Sequence, residues 1–147
     1  MVLPALMILF ANDFSQSLLI NKEYTERFWC LNVYKKNDSS NYRTILKDCR
    51  TDKTEWLFAS DGSIRLSNGK CLEVKGVSEI GGPSLRARSC DGSSAQQFIV
   101  EGDRDMLTIT QNNLYLTSVH HPKEGEGTQM SSLYVAKRDR VLYWKCY

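Results

Sequence analysis

The chain of 147 residues is long enough for one domain with one core, and its 41% apolar and 24% charged residues are ordinary for a globular protein. Nineteen basic against 17 acidic side chains give a net charge of +2, which is too weak to hold a nucleic-acid backbone. Composition therefore predicts a single globular domain. It lacks the excess of basic residues that a nucleic-acid-binding protein needs, and it does not identify a partner.

The N-terminal region differs from the rest of the chain. Residues 2–11 form an apolar run interrupted only by Pro4, which is too short to span a bilayer and fits the central region of a signal peptide. Small residues stand three and one positions before a cut after Ser17. We predict a signal peptide over residues 1–17, a mature domain over residues 18–147, and a secreted, extracellular product with no membrane span in this chain. The alternative is a buried N-terminal strand.

Four of the five cysteines recur at regular intervals, and behind an export signal they indicate a disulfide framework. Cys30 and Cys49 are 19 residues apart, Cys71 and Cys90 are also 19 apart, and the second pair follows the first by 41 residues. This regularity predicts the disulfides Cys30–Cys49 and Cys71–Cys90. Cys146 has no partner in this pattern. It forms a disulfide with another molecule, stays a free thiol, or pairs with a cysteine in a part of the same protein that this sequence does not include.

The cysteine spacing belongs to an internal repeat of roughly 40 residues. Residues 30–33 and 71–74 share a Cys-Leu-x-Val pattern, and this alignment superimposes residues 54–58 on residues 96–100. A weaker third copy sets residues 113–116 against the Cys-Leu-x-Val segment. Each copy ends in an aromatic motif, whose central residues are Trp56, Phe98 and Trp144.

Within each repeat, short apolar runs alternate with polar residues, as at residues 64–66 and 107–110, which is the period of half-buried strands. Turn signals such as Asp61-Gly62 separate these runs, and no stretch keeps a helical period for three turns. Units of about four short strands cannot bury separate cores, so three of them must share one. The sequence predicts an all-β, threefold β-trefoil with the aromatic residues packed inward. The third unit has no disulfide, and we predict that it opens most easily.

The segment from Asp61 to Val74, with its Cys-Leu-Glu-Val sequence, and the Gln96-x-Phe98 pair resemble the ricin B-type lectin domain and its Gln-x-Trp repeat. The resemblance covers residues 27–147. Within that superfamily the chain most resembles the N-terminal cysteine-rich domain of the macrophage mannose receptor family, which also follows a signal peptide and leaves its third unit without a bridge. The resemblance implies a binding module and not an enzyme.

Ricin-type lectins bind galactose-like sugars with an acid after the first cysteine of a unit, an aromatic platform on the next strand, and an amide before the tryptophan. In the first unit the resemblance assigns these positions to Asn32, Lys47, and Lys53 or Thr54. In the second unit it assigns them to Glu73, Arg88 and Gln96. In the third unit it assigns the acid to Leu116 and places Val141 near the amide. No unit keeps the full galactose set.

Basic side chains are enriched around these positions, and they make charge-assisted hydrogen bonds to sulfate and carboxylate groups. They are Lys47, Arg86, Arg88, Lys137, Arg138 and Arg140. In the mannose-receptor domain sulfated hexosamines stack on a tryptophan of the third unit. Its position here is Val141, so a ring must come from Tyr115, Tyr134 or Tyr143.

The leading prediction is a module for an acidic or sulfated glycan, with a glycan or glycoprotein as partner. The alternatives are a protein-interaction β-trefoil without sugar binding and the N-terminal fragment of a mannose-receptor-like endocytic receptor. A disulfide partner through Cys146 and N-glycosylation at Asn37, in the sequon Asn-Asp-Ser, are also predicted. The adjacent His120 and His121 are not predicted to share a metal. No catalytic signature is present, and neither a cofactor nor a nucleic-acid partner is predicted.

Overall fold

The structure is a computed structural model that describes residues 15–20, 28–35, 41–51, 53–76, 82–120, 122–138 and 141–146. These residues form twelve β-strands, one 3-10 turn and one short α-helix. No helix among them is long and apolar enough to cross a membrane. Residues 1–14 of the predicted signal peptide, the sequon residue Asn37, and Arg140 lie outside the described residues.

The strands fall into three consecutive units of four. The first unit contains β1 to β4, at Ser15–Ile20, Trp29–Lys35, Tyr42–Asp48 and Glu55–Phe58. The second contains β5 to β8, at Ile64–Leu66, Cys71–Val74, Leu85–Arg88 and Ile99–Asp103. The third contains β9 to β12, at Met106–Gln111, Leu114–Ser118, Thr128–Ser131 and Trp144–Cys146. Helix α1, Leu133–Arg138, lies between β11 and β12, and the 3-10 turn Ser94–Gln96 precedes β8.

The first and fourth strands of the units form a barrel. β1 pairs with β4 and β12, β4 pairs with β5, and β9 pairs with β8 and β12, always antiparallel. The N–H of Phe98 donates to the carbonyl of Gly62 at 3.0 Å and joins the start of β8 to the turn before β5. The second and third strands of each unit form the hairpins β2–β3, β6–β7 and β10–β11. This is the predicted β-trefoil.

The three repeated aromatic residues pack inside the barrel, as the sequence predicts. Trp56 and Trp144 are fully buried, and Phe98 is buried as well. They join one continuous core with the leucines in the middle of the second strands, which are Leu31, Leu72 and Leu116. Because strand side chains alternate between faces, every second residue of these short strands reaches this shared core. Helix α1 was not expected from the sequence, since six residues are too few to show a helical period.

Both predicted disulfides are present, Cys30–Cys49 and Cys71–Cys90. Each joins the second strand of a unit to the residues just after its third strand and closes the hairpin. In the chain-entropy account, a bridge over a loop of this length stabilises the fold by about 3 kcal/mol. The hairpin β10–β11 of the third unit has no bridge and is held by packing and hydrogen bonds.

Strand β1 contains residues that the sequence assigns to the signal peptide. Gln16 and Ser17 pair with β4 and are buried, and Oε1 of Gln16 accepts a hydrogen bond from Nη2 of Arg104 at 3.1 Å. A cut after Ser17 would remove the first three residues of β1 together with all of its pairing to β4. The pairing therefore favours a folded domain that keeps residues 15–17, whereas cleavage itself stays a prediction.

Candidate functional site

The two core tryptophans reveal how the third unit aligns with the first. Nε1 of Trp56 donates to the carbonyl of Leu31 at 2.9 Å, and Nε1 of Trp144 donates to the carbonyl of Leu116 at 3.1 Å. Leu116 is therefore the counterpart of Leu31 and belongs to the core. The residue after it, Thr117, is the counterpart of Asn32.

The sequence alignment of the third unit is consequently wrong by two residues. Asn113, set against Cys30, lies in the β9–β10 turn, where Asn112 and Asn113 have φ angles of 51° and 62°. Leu116 does not occupy the acid position. The error has a physical cause: without a cysteine to fix the register, an alternating Leu-x-Leu segment can slide by two residues and keep the same face toward the core.

The corrected alignment places three polar side chains at the acid position of the three units, and all three are buried. Asn32 is 1% exposed, Glu73 is 3% exposed and Thr117 is 0% exposed. Polar groups in such positions need hydrogen-bond partners inside the protein, because water does not reach them. Their environment therefore decides whether any of them is available to a ligand.

Each of these side chains binds the segment that leads to the last strand of its own unit. Oδ1 of Asn32 accepts from the N–H of Thr54 at 3.2 Å, and Oγ1 of Thr117 accepts from the N–H of Val141 at 2.8 Å. In the second unit, Oε1 of Glu73 accepts from Nε2 of Gln96 at 3.1 Å. The three residues form corresponding internal braces, so the acid position serves the fold in every unit.

The second unit extends its brace into a charged network. Oε2 of Glu73 accepts from Nε of Arg86 at 2.7 Å and lies 3.6 Å from Nη1 of Arg88. Gln96 is also fully engaged, because its Nε2 donates to the carbonyl of Ser89 at 3.0 Å and its Oε1 accepts from the N–H of Asp91 at 2.9 Å. The sequence predicts ligand contact for Glu73 and Gln96, whereas the structure buries both and uses their polar atoms internally.

The platform position carries no aromatic ring in any unit. Lys47 and Arg88 lie opposite the first cysteine of their hairpins, and the third unit has Ser131 at this place, opposite Tyr115. The Arg88 side chain is 38% exposed, and Lys47 is half-buried. These two cations remain accessible from outside, but the charge of Arg88 is partly balanced by Glu73.

The third unit presents an aromatic and cationic surface on helix α1. Tyr134 is 69% exposed, and the guanidinium carbon of Arg138 lies 5.9 Å from the centroid of its ring. Residues four apart on a helix lie on the same face, which explains this contact. Lys137 is exposed beside Arg138, and the buried Ala136 anchors the inner side of the helix. We call Tyr134, Lys137 and Arg138 the α1 surface.

The other ring candidates of the third unit are less accessible. Tyr115 and Tyr143 are half-buried, and Val141 is fully buried against Thr117. Tyr134 is therefore the most exposed of the three candidate rings. The sequence names Tyr134 as one of three choices, and its exposure distinguishes it from the other two.

Cys146 lies in β12 and is a free, half-buried cysteine whose N–H donates to the carbonyl of Arg104 at 2.8 Å. Burial raises the pKa of its thiol to about 11, although the charge of Arg104 acts in the opposite direction. The thiol is therefore protonated and weakly nucleophilic at neutral pH. An intermolecular disulfide through Cys146 stays a prediction.

Comparison with known families decides the class of the protein. The model of the ricin-type β-trefoil lectin domain matches residues 19–145, which is most of the chain. This chain belongs to the ricin-type β-trefoil lectin family. The matched domain is a lectin domain and not a catalytic one. Within the described ranges, no group of three or more His, Cys, Asp or Glu side chains is placed to hold a metal ion.

The lectin domain is also similar to a solved structure, a designed threefold symmetric protein named ThreeFoil. The TM-score is 0.63 at 16% sequence identity, and the match covers 90% of this chain and 96% of the designed one. At this identity the similarity supports the fold alone. No curated protein matches the chain.

Proposed function

We propose that this lectin domain binds an acidic or sulfated glycan through the α1 surface. The observation that carries the proposal is the exposed ring of Tyr134 with the guanidinium of Arg138 beside it and Lys137 next to it. An aromatic ring covers the apolar face of a sugar, and lysine and arginine make charge-assisted hydrogen bonds to sulfate or carboxylate. The α1 surface combines both kinds of contact in a short helix.

Recognition of neutral galactose by the set of residues typical of the family has no support in this chain. Asn32, Glu73 and Thr117 stand where an acid would fix sugar hydroxyls, but all three are buried and hydrogen-bonded within the protein. The platform positions carry Lys47, Arg88 and Ser131 in place of rings. A cation at this position favours an anionic ligand, so Lys47 and Arg88 are further candidate anion contacts on the first and second units.

Secretion is part of the same proposal. The two disulfides are typical of proteins that fold in an oxidising compartment. They agree with the predicted leader and with glycosylation at Asn37. Two further features support the same class of ligand: the resemblance to the cysteine-rich domain of the mannose receptor family, whose ligands are sulfated, and the basic residues of this chain's third unit, including Arg140.

A protein-interaction role is the second candidate. Leu133 and Tyr134 are exposed side by side at the start of α1, and an exposed apolar pair of this kind also suits a protein partner. The two candidates use the same helix and differ in the ligand. Binding to isolated glycans therefore separates them.

The test uses the secreted, disulfide-intact product of the full chain on an array of sulfated hexosamines, acidic oligosaccharides and neutral galactosides. We expect saturable binding to sulfated sugars that weakens as salt is added. The variants Tyr134→Ala and Lys137→Ala should each weaken it about three- to tenfold. Tyr34→Ala and Lys75→Ala are matched controls, because both residues are exposed and lie in other units.

Silence across the array from a folded protein would contradict the glycan proposal and favour the protein-interaction role. Binding to sulfated sugars that the Tyr134 and Lys137 variants leave unchanged would contradict the assignment to the α1 surface.

A further inference from the structure

We propose that the outer face of the joined hairpins β2–β3 and β6–β7 is a docking surface for an acidic segment of a partner protein. The two hairpins are joined by antiparallel pairing between β3 and β7. Tyr34 pairs with Arg43, and Arg43 pairs with Arg86, so these three side chains lie in one row across the junction. We call Tyr34, Arg43 and Arg86 the sheet surface.

The sheet surface faces away from the core. Tyr34 is 50% exposed, and Arg43 is exposed as well. The side chain of Arg86 is 26% exposed, whereas the neighbouring Ala87, which points to the other face of the sheet, is fully buried. A partner can therefore reach all three side chains of the row.

Arg43 and Arg86 form a pair that is unfavourable for the fold. Like charges directly opposite each other on neighbouring strands destabilise a sheet. Arg86 has a carboxylate partner, because its Nε donates to Oε2 of Glu73 at 2.7 Å. No carboxylate of the described residues forms an ion pair with Arg43. Natural proteins break local rules of this kind at functional sites, so the pair indicates a ligand that supplies the missing negative charge.

The residue types of the sheet surface favour a protein as that ligand. Tyrosine and arginine are enriched at protein–protein interfaces and among the residues that carry most of their binding energy. The planar guanidinium of Arg43 matches the two oxygens of an Asp or Glu carboxylate, and the ring of Tyr34 offers apolar area beside it. An extended segment with acidic residues at alternate positions matches this flat face, because alternate side chains point to one side.

The sheet surface is separate from the positions considered for sugars. The α1 surface belongs to the third unit, whereas this row lies on the first and second. In the first hairpin, Tyr34 and Arg43 lie closer to the hairpin tip than Asn32 at the acid position and Lys47 at the platform position. The inference therefore does not rest on the proposed glycan function.

The experiment adds a synthetic peptide of five Glu-Ser repeats to the secreted, oxidised full-chain product and follows the backbone NMR signals. We expect saturable shifts at residues 33–35, 42–44 and 85–87 that weaken as salt is added. A peptide of five Gln-Ser repeats has the same length without the charge and should give none. A spectrum with the dispersion of the unmodified protein verifies that each variant is folded.

Arg43→Gln should weaken binding of the Glu-Ser peptide about tenfold, because it removes a charge-assisted contact. Arg138→Gln is the matched control, since Arg138 is also an exposed arginine beside an exposed tyrosine ring but lies in α1. Tyr34→Ala should weaken peptide binding and leave sulfated-sugar binding at the α1 surface unchanged. Tyr134→Ala should do the opposite.

The stability of Arg43→Gln separates a binding role from a structural one. Because the substitution removes the repulsion between Arg43 and Arg86, its urea midpoint should equal or exceed that of the unmodified protein. A lower midpoint would show that Arg43 serves the fold, and it would overturn the inference.

The inference also fails if the Glu-Ser peptide gives no saturable shifts at the sheet surface or if Arg43→Gln binds the peptide as tightly as the unmodified protein. A sulfated oligosaccharide that binds the sheet surface more tightly than the peptide would overturn the assignment to a protein partner. Peptide binding with a silent sulfated array would sustain this inference while the α1 proposal fails. Sulfated-sugar binding without peptide shifts would do the reverse.

Discussion

At the residue scale, the buried polar side chains at the acid positions form hydrogen bonds within the fold. Glu73 is the clearest example, because its carboxylate joins Arg86, Arg88 and Gln96 and is almost completely covered. A carboxylate used in this way holds β6, β7 and the segment before β8 together. It cannot turn outward to a sugar hydroxyl without breaking those hydrogen bonds.

Replacing Glu73 therefore tests structure and binding separately. We expect Glu73→Ala to lower the free energy of unfolding by about 2 to 4 kcal/mol, because it leaves the half-buried Arg86 without its carboxylate partner and removes one of the two acceptors of the buried Gln96 amide. Urea denaturation measures the loss, with the exposed Glu101→Ala as the control. Binding to the α1 surface should persist where the variant is folded. A variant with unchanged stability would contradict the role of Glu73 as a brace.

At the element scale, β1 connects the start of the chain to two other strands of the barrel. Residues 15–17 pair with β4, and residues 18–20 pair with β12. The predicted cut after Ser17 would keep the second set of pairs and lose the first. A signal-peptide pattern depends only on the residues around the cut, whereas the pairing of residues 15–17 with β4 depends on the folded barrel. The sequence alone therefore could not show that the predicted cut removes paired residues.

The N-terminus of the secreted protein shows whether the predicted cut after Ser17 removes residues 15–17 or whether β1 keeps them. We predict that the intact mass of the secreted protein places its first residue at or before Ser15. As a control, a chain expressed to begin at Leu18 should unfold at a lower urea concentration than the secreted form. A secreted protein that begins at Leu18 and is equally stable would refute the role assigned to residues 15–17.

At the scale of the whole molecule, the sequence predicts the fold well, whereas the ligand contacts that it assigns stay predictions. Cys30, Cys49, Cys71 and Cys90 mark equal loops, which reveal the repeat and the two disulfides. The third unit lacks that marker, and its alignment failed by two residues. The burial of Asn32, Glu73 and Gln96 depends on neighbours from other strands, and it becomes visible only when the units are packed together.

The unequal distribution of disulfides predicts unequal stability among the three units. We expect backbone amides of β10 and β11 to exchange hydrogen faster than those of β2, β3, β6 and β7, because only the latter hairpins are bridged. Hydrogen exchange followed by NMR on the oxidised protein measures this directly. The core positions Leu31, Leu72 and Leu116 give a matched comparison. Slower exchange in the third unit than in the other two would contradict the prediction.

A crystal structure of the oxidised domain with a sulfated hexosamine would show whether an anionic sugar contacts the α1 surface. We expect the sugar ring against Tyr134 and the sulfate within hydrogen-bond distance of Lys137 or Arg138. A sugar bound instead beside Glu73 and Gln96, with their internal hydrogen bonds broken, would contradict it.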